Sequence, residues 1–317
     1  MKYFFVIIVL FIIELIYFRI AKKYKIVDVP NSRSSHKGET VRGGGIIFAL
    51  SAICLEFYLG FPHPYFMAGL IIVSFISFVD DIHSLPNRVR LLVHFLAVAL
   101  MFLDTTIVEA PWWVLISMAV IVTGFLNAFN FMDGINGITG AYGLVTIISL
   151  TIINEFFIPF IPSELGIFVL LGLLVFNYFN FRVKARCFAG DVGSISLPFI
   201  IAFFILKLYF ISHAPILILL LAVYGVDSVN TILKRVLVRE NIFMPHRTHL
   251  YQILVHSKRL SHLQVSTIYG FIQLSINVVV ILLIDFPFDT QLFISIGGLL
   301  FLSGIYWFLV RRWSEAK

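Results

Sequence analysis

What most constrains this chain is a succession of long apolar runs with scarcely a charge inside them. A helix needs about 20 mostly apolar residues to cross a hydrocarbon core. Runs of that kind lie near 2–20, 43–61, 65–80, 90–104, 111–128, 139–158, 164–181, 194–211, 213–231, 266–285 and 289–310. They are continuously apolar rather than alternating, which favours helices over a membrane β-barrel. Composition agrees: of 317 residues 60% are apolar and 13% charged, too little polarity to coat a water-facing globule of this size. The expected fold is all-α, a polytopic integral membrane protein with about 11 transmembrane helices. No repeat or linker divides residues 1–317, so one domain is expected. The first run leads straight into a basic stretch with no cleavage pattern, as in a retained span. Cys54 and Cys187 are too few for a disulfide framework and read as free thiols.

The positive charges orient the runs. Apart from Lys2 and Lys207, all of the 23 Lys and Arg residues fall in alternate loops or in the C-terminal tail. By the positive-inside rule the N-terminus faces outward and the C-terminus the cytoplasm. The net charge of +6 is then a topology signal with anionic-lipid contact, and it calls for no nucleic-acid partner.

The polar motifs gather on the same side, in loops 19–42, 80–90, 127–140, 181–194 and 231–265. The first loop carries Lys37 and ends in Arg42-Gly43-Gly44-Gly45, where a helix N-terminus would favour an anion. Asp80 and Asp81 close the third run. Adjacent carboxylates at a helix C-terminus repel each other and oppose the dipole, so a divalent cation or a substrate proton should compensate them. Asn127, Asn130 and Asp133 recur at helical spacing before Gly134 and Gly137. Asp191 lies in Gly190-Asp-Val-Gly-Ser194 at the mouth of the eighth run, with Asn177 and Asn180 upstream. His246, Arg247 and His249 suit a phosphate cradle. Without a Cys pair or His-Glu-x-x-His they make a poor zinc site. Asp227, near Lys234 and Arg235, reads equally as a structural ion pair or a catalytic acid. Acids for a cation beside donors for phosphate point to phosphoryl transfer, and the membrane points to a lipid acceptor.

At these residues the sequence resembles the polyprenyl-phosphate N-acetylhexosamine-1-phosphate transferases (glycosyltransferase family 4) over nearly its whole length. The Asp28-to-Gly45, Asp80-Asp81, Asn127-to-Gly137, Gly190-to-Ser194 and Asp227-Ser228 segments carry the likeness. The His246-Arg247-x-His249 form is similar to the branch that initiates O-antigen and related polysaccharides. The resemblance implies transfer of a sugar 1-phosphate from a UDP-sugar to undecaprenyl phosphate at the cytoplasmic face of a bacterial inner membrane. It implies Mg²⁺, with Mn²⁺ as a substitute, and admits a homodimer.

The resemblance also implies roles. Asp191 would hold the metal, with Asp133 as a second ligand. Asp80 and Asp81 would orient or deprotonate the lipid phosphate. Asn127, Asn130, Asp133 and Asn180 would hold the nucleotide end or the metal. His246, Arg247 and His249 would bind diphosphate charge, and Lys37 or Arg42 would touch phosphate. Asn136 stands where many members have an acid, and is left out of the metal set. The loop from Asn180 to Asp191 is about one residue longer than usual and lacks the common prolines. The alternatives are a phospho-N-acetylmuramoyl-pentapeptide-type transferase and a membrane transporter. Transporters place ionisable groups near the midplane, often in repeated halves; here the acids sit at run ends and no halves repeat.

Overall fold

A computed structural model describes residues 1–28, 39–241 and 247–314. The helices are α1 (Lys2–Lys23), α2 (Ile46–Tyr58), α3 (Pro64–Ile82), α4 (Asn87–Leu103), α5 (Trp112–Met132) and α6 (Ile138–Phe156). They continue with α7 (Ser163–Asn180), α8 (Gly190–Ser212), α9 (Ala222–Leu237), α10 (Leu250–His256), α11 (His262–Leu283) and α12 (Phe288–Ser314). The only strands among the described residues are β1 (Val27–Asp28) and β2 (Thr40–Val41), paired antiparallel.

Every expected run is helical, but nine rather than eleven stretches are long and apolar enough to cross a membrane among the described residues. The two that fall short are α2, with 13 residues, and α4, with 17. At 1.5 Å per residue they reach about 20 and 25 Å, against a core of about 30 Å. α2 starts late because Gly44 and Gly45 donate their amides to the Phe188 and Ala189 carbonyls instead of to a helix. It stops at a turn in which Gly60 and Phe61 both take positive φ. The span Pro215–Leu237 is composite, a 3₁₀ stretch (Pro215–Leu221) followed by α9. Gln273 of α11 mends the junction: its Nε2 donates to the Leu219 carbonyl at 2.8 Å and its Oε1 accepts from the Val223 amide at 3.0 Å. In hydrocarbon such a break persists only where protein groups satisfy it.

α8 is the hub. It is apolar on nearly every side, as a largely enclosed helix must be, and it packs against α2, α3, α5 and α6. In its most apolar window 72% of residues are buried, against 17% for the peripheral α12. Its N-terminus is brought beside that of α2 by a short ladder. Phe188 donates to the Val41 carbonyl at 2.8 Å, and Val41 bridges Cys187 in parallel. The two helix starts touch at glycines. A Cβ on Gly193 would lie 2.6 Å from the Gly45 Cα, and one on Gly45 2.4 Å from the Gly193 Cα. That closeness requires glycine at both positions.

Candidate active site

Asp80 and Asp81 end α3 where α8 begins, and the fold gives them different surroundings. Asp81 faces inward. Its carboxylate accepts the first-turn amides of Asp191 (2.8 Å) and Val192 (3.0 Å), and it pairs with Arg42 Nε at 2.7 Å. It therefore caps α8 from another helix, stabilised by the positive end of that helix's dipole. Gly190 takes a φ of +69° at this junction, and a Cβ there would meet Asp81 Oδ2.

Asp80 turns to the other side. It accepts the Leu85 amide at 2.6 Å and pairs with Arg90 Nη1 at 2.9 Å. Its carboxyl also lies within hydrogen-bonding reach of the Asp191 carboxyl. Asp191 receives Asn130 Nδ2 at 2.9 Å and stands 3.7 Å from Arg42 Nη2. The same Asn130 amide reaches Ser194 Oγ at 2.7 Å, so Asn130 locks Asp191 to the first turn of α8. Of the three acids Asp191 is the most open, its side chain 19% exposed against 5% for Asp80 and 0% for Asp81.

Three carboxylates and two guanidiniums leave this cluster one net negative charge. Carboxylates gathered this way repel one another, and a proton or a cation between them relieves the repulsion. Hard oxygen donors of this kind suit Mg²⁺, which binds through one or two carboxylates and shares the rest of its shell with phosphate and water. Around Arg42, burial alone would lower the pKa. The Asp81 and Asp191 charges outweigh it and hold the guanidinium above its ordinary value.

The other expected residues divide. Asp133, just beyond α5, accepts Thr139 Oγ1 at 2.5 Å. Burial pushes its carboxyl up to about 7, with Asp191 and Asp81 adding to the shift and the Thr139 hydroxyl and Arg42 opposing it. Among the described residues no three His, Cys, Asp or Glu side chains are grouped to hold an ion, neither at Asp133 nor at Asp80, Asp81 and Asp191. Asn127 lies one turn before Asn130 on α5, and its amide bonds its own helix at the Thr123 carbonyl, 2.8 Å away. Asn180 is buried and ties two loops together, accepting the Gly137 amide at 2.7 Å and donating to the Cys187 carbonyl at 2.8 Å. Asn136 works similarly, donating to the Arg182 carbonyl at 3.0 Å while its own carbonyl accepts Ser266 Oγ at 2.8 Å.

His249 starts α10 and contacts Asp227 Oδ1 at 3.3 Å. Asp227 also accepts the Leu250 (2.9 Å) and Tyr251 (3.2 Å) amides and the Tyr269 hydroxyl (2.7 Å). It thus caps α10 as Asp81 caps α8. The partners of Asp227 are therefore His249, Tyr269, Thr231 and the α10 amides rather than Lys234 or Arg235. Tyr251 docks α10 onto the last turn of α5 by donating to the Phe131 carbonyl at 3.1 Å. Arg247 is exposed beside this helix. Lys37 and His246 lie outside the described residues.

Sequence reasoning missed Arg90, taken only as a topology charge. One signal existed: a cation in the first turn of α4 opposes the helix dipole, so it needs an acid nearby. Ser194 was passed over as part of a turn.

Residues 63–209, which carry Asp80, Asp81, Asn127, Asn130, Asp133, Asn180 and Asp191, match the sequence profile of glycosyl transferase family 4. This segment is 147 of the 317 residues, and over it the chain is similar to glycosyl transferase family 4. Similar proteins include the Bacillus subtilis (strain 168) protein named "Probable undecaprenyl-phosphate N-acetylglucosaminyl 1-phosphate transferase". It is 26% identical over 288 residues, covering 83% of this chain and 79% of the relative. The undecaprenyl-phosphate alpha-N-acetylglucosaminyl 1-phosphate transferase of Thermotoga maritima is 26% identical over 241 residues, 74% of each chain. The phospho-N-acetylmuramoyl-pentapeptide-transferase of Dictyoglomus thermophilum is 24% identical over 232 residues, 67% of this chain and 72% of the relative.

Proposed function

We propose that this chain transfers an N-acetylhexosamine 1-phosphate, or a 6-deoxy derivative, from a UDP-sugar to undecaprenyl phosphate, releasing UMP. The observation that carries the reading is the convergence of Asp80, Asp81 and Asp191 with Arg42 and Arg90 at the start of α8, with the three acids and Arg90 inside the family-matched segment. The names of the relatives supply the substrate class. The Lys and Arg distribution supports a site facing the cytoplasm of a bacterial inner membrane. The His246-Arg247-x-His249 form supports a place at the start of O-antigen or another surface polysaccharide.

In this reading an oxygen of the lipid phosphate attacks the β-phosphorus of the UDP-sugar. The bond from that phosphorus to the bridging oxygen breaks, and the electron pair leaves with UMP. Two anions must approach each other, and screening their repulsion is the main electrostatic task. Asp191 and Asp80 would hold Mg²⁺, whose chemistry is to neutralise the donor diphosphate. Asn130 keeps Asp191 aimed at the site. Arg42 and Arg90 balance the acids and face the incoming phosphates. Arg247, His249 and His246 would take diphosphate charge, with Lys37 near the acceptor phosphate. Asn127 and Asp133 would border the nucleotide end. Asp81 and Asn180 we assign to positioning, because their oxygens and amide are taken up by backbone groups.

A donor screen tests the reading. Purified protein with undecaprenyl phosphate and Mg²⁺ should release UMP from at least one UDP-N-acetyl sugar, and no release from any such donor in a folded preparation would refute it. The Dictyoglomus relative keeps a second reading in view, a UDP-N-acetylmuramoyl-pentapeptide donor; release from that donor alone would select it.

A further inference from the structure

Away from the acid cluster, an open groove of about 1140 Å³ lies between the C-terminal end of α1 and the loop joining α7 to α8. Five cations line it: Arg19, Lys22 and Lys25 on one side, Lys184 and Arg186 on the other, with Glu39 the only acid. All five are exposed, and no ion pair joins them to any carboxylate among the described residues. The two walls therefore repel each other across the groove, and a multiply charged anion would relieve that repulsion.

The floor is apolar. Leu15 and Phe18 of α1 belong to a stripe that continues away from the basic mouth through Phe11, Ile8 and Phe4, at spacings of three and four that share one helix face. The stripe stays open at Phe4 (72% exposed), Ile8 (41%) and Leu15 (40%). Phe11 and Phe18 lean on Phe179 of α7, at 5.1 and 4.9 Å between ring centroids, and half-exposed Tyr178 borders Phe11 at 5.5 Å. Thus the groove has a cationic mouth at the C-terminal end of α1, and a partly open apolar stripe leads away from it along the same helix face. A soluble anion would use only the mouth. A lipid whose phosphate lies at the boundary and whose chains run into the bilayer would use both.

We propose that this groove binds an anionic membrane phospholipid, with its phosphate among Lys22, Lys184 and Arg19 and an acyl chain along the Phe4–Phe18 stripe. The lipid bridges α1 to the α7–α8 loop. That loop and β2 form the ladder that delivers Arg42 and the start of α8 to the acid cluster, so the lipid braces the cluster from behind without touching it.

The test uses the full chain purified in uncharged detergent, titrated with phosphatidylglycerol, phosphatidylcholine, inorganic phosphate and undecaprenyl phosphate, with bound lipid read by native mass spectrometry. Phosphatidylglycerol should bind at least tenfold more tightly than phosphatidylcholine. Lys22→Gln with Lys184→Gln should weaken it roughly 30-fold, taking about 1 kcal/mol for each Lys near an anionic lipid phosphate. Lys22→Arg with Lys184→Arg should restore it, which separates lost charge from lost folding. Equal binding of the two phospholipids, or full binding by the Gln double variant, overturns the proposal. Displacement of phosphatidylglycerol by inorganic phosphate at equal concentration would make this a free-anion site instead. Tighter binding of undecaprenyl phosphate at the same residues would make it an acceptor site. Either result also overturns the proposal.

Discussion

Asp80 and Asp81 are neighbours in sequence, yet replacing each by Asn should give different phenotypes. Asp81→Asn removes the charge from a fully enclosed carboxylate that accepts two first-turn amides of α8 and pairs with Arg42 at 2.7 Å. Hydrogen bonds to a charged group contribute about 1.5–3 kcal/mol each, and breaking a buried ion pair costs about 3–5 kcal/mol because the partner charge is stranded. An Asn oxygen can still accept one amide, so a net loss of roughly 3 kcal/mol is expected. Asp80→Asn loses the bond to Arg90, a side chain 22% exposed. It also removes a like charge from beside Asp191, and the two changes nearly cancel, to within about 1 kcal/mol. The assay is unfolding of purified protein in mixed micelles, alongside transfer activity. Asp81→Asn should unfold markedly earlier, and Asp80→Asn should unfold near wild type while losing transfer. Equal destabilisation by the two substitutions, or a stable and fully active Asp81→Asn, would refute the division into a cap and a site-facing acid.

Three further outcomes follow from the same geometry. Asn130→Ala should lower kcat by about 10- to 100-fold with little change in KM, the usual effect of removing an orienting partner from a metal-binding carboxylate; steady-state kinetics checks it. Gly193→Ala should destabilise the protein by about 1–3 kcal/mol, because the new methyl group meets the Gly45 backbone rather than a flexible side chain. Its unfolding midpoint should fall, while an Ala at Gly225, where nothing lies within 4 Å, should be silent. Asp227→Ala should release α10 from its cap, seen as faster amide exchange at Leu250 and Tyr251 with α8 still protected.

Much of this arrangement could be read from the sequence, for physical reasons. A run such as 194–211 is too apolar for a water-facing surface, so its span was evident, and acids at run ends stood out against an apolar background. The run at 90–104 is the shortest in the sequence and already reads as the weakest span, but the shortness of α2 was not evident. Whether Gly43–Gly45 opens a helix or joins a ladder depends on Phe188 and Ala189, well over a hundred residues away. The split between Asp80 and Asp81 was equally hidden: consecutive residues on a helix point about 100° apart, and only the packing of α3 on α8 decides which one meets the helix start. Asn180 fitted a motif, but its amide is taken up by Gly137 and Cys187. Asp133 shares a helical face with Asn130, but its bond to Thr139 across the turn after α5 could not be read from that spacing.

The central claim concerns which bond breaks. A donor labelled at the β-phosphorus and in the uridine, incubated with the protein, Mg²⁺ and undecaprenyl phosphate, separates the outcomes. The account predicts that the β-phosphorus label moves to the lipid fraction together with the sugar, while the uridine label leaves as UMP. If the β-phosphorus label stays with uridine as UDP, the sugar has moved without its phosphate, and the account is contradicted.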